Sequence, residues 1–85
     1  MEYFARVEKV GASYLVSFPD FPEINTYGMT LDESLWNAHE ALNAALKSDL
    51  RRGVHLPPPR DFTGQRGYYP VKLLPHLAVK VRFGN

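Results

Sequence analysis

Residues Ser17–Ser34, SFPDFPEINTYGMTLDES, join the strand-forming start of the chain to its helix. Pro19 and Pro22 cannot donate to a β-ladder, so strand pairing ends there or continues only at a sheet edge. Asp20 between them suits a bend in which its carboxylate accepts backbone amides. Ile24–Tyr27 is long enough for a short strand, and Gly28 then turns the chain. Thr30 is placed to cap the first free amides of a helix, and Glu33 three residues on can close a capping box. Asp32 and Glu33 also fall in the first turn, where the helix dipole favours negative charge.

Upstream, Glu2–Lys9 alternates, with Tyr3, Ala5 and Val7 on one side and Glu2, Arg6 and Glu8 on the other; Phe4 is the exception. That is the pattern of a half-buried strand. Val10–Ser13 supplies a turn and Tyr14–Phe18 a second strand, so the first two strands are expected to pair as a hairpin.

Downstream, the helix is expected to run to about Arg52, with Gly53 placed to end it. Leu31, Leu35, Ala38, Leu42, Ala45 and Leu46 fall within about 100° of arc, one face to lay on a sheet. Trp36 lies about 140° from Leu31, beside Glu40, Asn43 and Lys47. Leu56–Arg60, with three consecutive prolines, must be extended. Asp61–Gly67 is a polar loop, and Tyr68–Leu73 a fourth strand in which Pro70 favours a sheet edge. Leu77, Val79, Val81 and Phe83 alternate with Ala78, Lys80 and Arg82, which is a strand pattern; a helix in a longer protein is the alternative. The order β-β-β-α-β, with a candidate fifth strand, predicts an α+β fold, a two-layer sandwich of sheet and helix.

Eighty-five residues make one small domain, and 45% hydrophobic residues are enough to give it a core. No apolar run approaches the length of a membrane span, and the N-terminus lacks the basic-then-apolar order of a signal peptide. Without cysteine there is neither a disulfide framework nor a thiolate metal site, which fits a cytoplasmic protein. The net charge of +1 conceals two halves of opposite sign. Met1–Leu50 carries eight acids against three bases, net −5, whereas Arg51 onward carries seven bases against Asp61, net +6. An acidic front half repels nucleic acid and suits a basic protein partner.

Little in the chain points to catalysis. His39, His55 and His76 have no ligand-like spacing, and no second histidine lies one turn from His39. Phosphate-cradling glycine loops and nucleophile elbows are absent, and Ser17, Ser34 and Ser48 lack a local activating base. A two-metal nuclease places an acid mid-strand in a central strand, but Phe4 and Arg6 hold that place here. Asp20 has no acidic neighbour beyond Glu23. The expectation is a protein without enzyme activity, cofactor or metal.

The stretch YLVSFPDFPEINTYGMTLDESLWNAHEAL, Tyr14–Leu42, resembles the N-terminal domain of HicB-type antitoxins. There a hairpin strand runs into a "PD-P" segment (here Pro19-Asp20-Phe21-Pro22), then a "G-T-x-E" helix start (Gly28-Met29-Thr30-Leu31-Asp32-Glu33), then "A-x-EAL" (Ala38-His39-Glu40-Ala41-Leu42). The resemblance implies a partial ribonuclease-H-like fold lacking that enzyme's acids. It also implies binding to a HicA-type toxin, a small basic RNA-cleaving protein whose active surface the antitoxin covers. On that basis residues 1–75 are expected to form the toxin-binding domain, and 76–85 the start of a DNA-binding appendix. Asp20, Glu23, Tyr27, Trp36 and Glu40 are the expected toxin- or self-association residues, and Gly28, Thr30 and Glu33 structural residues of the helix start. Unpaired strand edges favour a homo-oligomer. The competing reading, from the basic tail, is a nucleic-acid-binding repressor acting on operator DNA.

Overall fold

A computed structural model of the chain describes residues 1–83. Its elements are β1 (Glu2–Val10), β2 (Ser13–Phe18), β3 (Phe21–Gly28), α1 (Leu31–Arg51), β4 (Tyr68–Lys72) and α2 (Pro75–Phe83). The strands form one antiparallel sheet in the order β3-β2-β1-β4. Strand β1 sits inside the sheet because the chain returns to its outer side after the helix. Side chains alternate across the sheet, so Tyr3 and Ala5, Val16 and Phe18, Ile24, and Val71 face α1. They close the core with Ala38, Leu42 and Leu46 from the helix. The expected two-layer α+β architecture is present.

Helix α1 starts as its sequence dictates. Thr30 adopts an extended backbone, and its hydroxyl accepts from the Glu33 amide at 3.0 Å. The Glu33 carboxylate reaches back to the Met29 amide at 2.7 Å, one residue beyond the usual capping-box partner. Its helical phase places Ser34, Ala38, Leu42, Leu46 and Leu50 inward. At the far end Arg52 is the C-cap, and Gly53 takes φ 73°, the left-handed conformation that ends many helices. Gly28 serves differently from the turn residue expected of it. It lies within β3 without positive φ, and its missing side chain leaves room for the first turn of α1.

Two further expectations change. Leu77–Phe83 is not a fifth strand but part of helix α2. Alternation over so few residues fits either period; here Pro75 occupies the first turn, where its fixed φ and missing N–H are tolerated. The amides of Leu77 and Ala78 both bond the Leu74 carbonyl, and Leu77 and Ala78 pack inward while Val79 is exposed. Gly84 and Asn85, the end of the expected tail, lie outside the described residues. Strand β3 also starts earlier than Ile24. It includes Pro22, tolerated because β3 is an edge strand, and a register shift in its pairing with β2 absorbs the irregularity.

The proline connector wraps the end of the sheet. Tyr3, fully buried, donates its hydroxyl to the Pro57 carbonyl at 2.7 Å and meets Phe21 edge-on. Asp20 accepts from the Arg60 amide (3.1 Å) and from Arg60 Nε (2.7 Å), while Arg60 also donates to the Pro19 carbonyl. Beyond it Phe62 stacks on Tyr68 and meets Phe4, on the sheet face opposite α1.

Burial raises the Tyr3 phenol to about 12, with the Asp20 charge adding to the effect. Below pH 10 the phenol is protonated in folded and unfolded chains alike. Between about 10 and 12 only the unfolded chain ionises, so stability falls as pH rises through that window, by about 2–3 kcal/mol in all. Urea midpoints should drop between pH 9 and 11.5 for the wild type and less for Tyr3→Phe. Parallel drops in the two proteins would contradict this assignment.

Candidate functional site

With α1 resting on its Ala38–Leu42–Leu46 face, Trp36 is turned well away from the sheet. It is 62% exposed, a large apolar surface left to solvent. Its ring stacks on His39, centroids 5.7 Å apart and planes 20° from parallel. Asp32 and Glu33 lie four and three residues before it and Glu40 four after it, all exposed, so the aromatic stands among acids. Beyond them Lys47 is the first base along the helix.

Beside this cluster α1 overhangs the outer edge of β4. A groove of about 380 Å³ opens there, lined by Glu2, Leu35, His39, Pro70, Val71 and Lys72. His39 Nδ1 is shut off from solvent without a hydrogen-bond partner, 3.6 Å from Glu40 Oε2. Buried Asn43 holds the backbone of two lining residues. Its amide donates to the His39 and Lys72 carbonyls at 2.9 and 3.1 Å, and its oxygen accepts from the Leu74 amide at 2.7 Å.

The residues expected at an interface do not all come together. Trp36 and Glu40 share the α1 flank described above. Tyr27, 59% exposed, sits on the sheet face opposite α1 beside Leu15, its cross-strand partner. Glu23 is exposed on β3. The Asp20 side chain is only 5% exposed and already paired with Arg60. Its carboxylate does accept a backbone amide, but from the connector rather than from its own bend. Glu2, His39, Pro70 and Lys72 were not expected at the site. They lie on two strands and a helix whose adjacency depends on β4 returning beside β1, and no local pattern signals that. Among the described residues no three His, Asp or Glu side chains gather as a metal site, and no helix is long and apolar enough to cross a membrane.

Comparison with known proteins adds the family. Residues 2–82 match the model of the HicB-like antitoxins of bacterial toxin–antitoxin systems. The fold is similar to that of the N-terminal domain of the Burkholderia pseudomallei antitoxin HicB, with a TM-score of 0.73 at 23% identity, covering 86% of this chain and 98% of that one. A longer structure of the same antitoxin gives a TM-score of 0.72 at 22% identity, with 86% of this chain and 62% of that one covered. In sequence the chain is 39% identical over 57 residues to an uncharacterized 14.9 kDa protein from the rep–hol intergenic region of Haemophilus phage HP1. That match takes in 67% of this chain but 43% of the phage protein. With the family model matched along nearly all of its length, the chain belongs to the HicB-like antitoxin family, whose members are antitoxins rather than enzymes.

Proposed function

We propose that this chain neutralises a HicA-type, mRNA-cleaving toxin by binding it directly and covering its RNA-binding surface. The observation that carries the reading is Trp36, exposed on α1 among Asp32, Glu33 and Glu40. A protein that grips RNA is basic, and an acidic surface with an aromatic at its centre is a suitable counterpart: the charges steer the encounter and the ring anchors it. Asp32 and Glu33 favour the helix start as well, so the same acids serve stability and recognition. Tyr27 and Glu23, on the other side of the domain, are better placed for contact with a second copy through the β3 edge. Asp20 has a structural role in fixing the connector. The setting is the cytoplasm, where mRNA is cleaved.

The test is co-elution with the toxin encoded beside this chain's gene. A stable complex is expected at micromolar concentration, and Trp36→Ala should weaken it by about 2 kcal/mol or more, roughly 30-fold in Kd. Because Trp36 lies off the core, its replacement should leave the fold and melting temperature close to wild type. A Trp36→Ala chain that binds as tightly as the parent would remove the helix flank from the interface.

A further inference from the structure

The outer edge of β4 has an unusual supply of backbone hydrogen-bonding groups. The Leu73 amide donates to the Met1 carbonyl and the Val7 amide to the Gly67 carbonyl. With Glu2 opposite Lys72 and Arg6 opposite Tyr68, the odd residues of the two strands face one another. Tyr68, Pro70 and Lys72 therefore direct their backbone groups away from the sheet. Donors on that outer edge are scarce: the Tyr68 amide is bound to the Gln65 carbonyl, and Pro70 has none. The Lys72 carbonyl is taken by Asn43. What remains is the Tyr68 and Pro70 carbonyls, with the Lys72 amide as the one donor. An added β-strand needs donors and acceptors in alternation, so this edge does not accept one.

We infer that the groove between α1 and β4 receives an arginine side chain of the bound partner. A guanidinium is planar and carries five donors and no acceptor, the complement of a wall that offers the Pro70 carbonyl and the Glu2 carboxylate. Glu2, which lines the groove, and the exposed Glu40, 3.6 Å from His39 Nδ1, supply acceptors for charge-assisted bonds. The parallel Trp36 and His39 rings supply an aromatic surface of the kind on which guanidinium groups stack. Lys72 is the one lysine or arginine among the lining residues, against Glu2 there and Glu40 beside His39. The balance favours a cation, and the arrangement favours arginine over lysine because an ammonium neither stacks as a plane nor bonds two carboxylates in a fixed fork.

This inference takes only the partner's identity from the toxin reading; the groove's own preference is measurable without any toxin. Trp36 is the single tryptophan, so its emission reports on the groove directly. Titration with a hexa-arginine peptide should change that emission at concentrations about 10-fold lower than hexa-lysine, about 1.4 kcal/mol of discrimination. The Glu2→Gln/Glu40→Gln double variant, altered only at the rim, should lose the response while keeping its circular dichroism. Equal responses to the two peptides, or an unaltered response in the double variant, would overturn the inference. Toxin binding that ignores the double substitution would likewise remove the groove while leaving the toxin reading intact. An arginine-selective response in a chain that binds no toxin would uphold the groove and overturn that reading instead.

Discussion

Gly28→Ala is expected to cost about 3 kcal/mol or more, a large share of what an 85-residue domain has to spend. A Cβ at Gly28 would lie 2.4 Å from the Ser34 amide nitrogen, 2.8 Å from Ser34 Cα and 2.9 Å from the Glu33 carbonyl carbon. All three are backbone atoms of the first turn of α1, so no side chain can swing aside. Relief requires α1 to lift from β3, and that disturbs the buried Ser34, whose hydroxyl bonds the Leu31 carbonyl at 2.7 Å. Overpacking of this kind exceeds the usual range because the obstruction is a helix start held by its own cap. The melting temperature should fall by about 15 °C or more. A Gly28→Ala chain melting within a few degrees of wild type would show that β3 and α1 are further apart than described.

Asn43→Leu is expected to cost about 2–4 kcal/mol although it keeps the branched shape and adds apolar surface. The Asn43 side chain is 5% exposed as a residue and satisfies two groups from the end of β4. Leucine leaves the Lys72 carbonyl and the Leu74 amide without partners in a half-buried setting, each worth about 1–3 kcal/mol. The loss should be local before it is global. Amide exchange in β4 and α2 should accelerate more than in β1–β3, because Asn43 ties both ends of that junction to α1. Asn43→Asp separates the two bonds: its carboxylate can accept from Leu74 but cannot donate to Lys72. Its instability should ease as pH falls, when a protonated acid regains a donor. Uniform acceleration across the sheet would mean that Asn43 acts as ordinary core filler.

The parts of the fold that are legible in sequence are those fixed by neighbours along the chain. Thr30 and Glu33 mark the helix start by spacing alone. Ala38, Leu42 and Leu46 mark its buried face by period, and the same period puts Trp36 outside it. What is not legible depends on residues that meet across the fold. Asp20 finds Arg60 forty positions later, so its carboxylate is engaged in a way no local pattern reveals. Helix α2 reads as a strand because Leu77, Val79 and Val81 satisfy period two as well as they satisfy a helix. The Asn43–Leu74 bond and the flank of α1 decide between them, and both are tertiary. The candidate site divides in the same way. Trp36 and Glu40 follow from helical phase, whereas Glu2, Pro70 and Lys72 join them only through strand order.

The most direct measurement of the antitoxin role is RNA cleavage by the neighbouring-gene toxin in the presence of this chain. Equimolar wild-type chain should stop cleavage, and Trp36→Ala should need about 30-fold more protein for the same protection. Cleavage that continues unchanged under a saturating excess of folded wild-type chain would contradict the role.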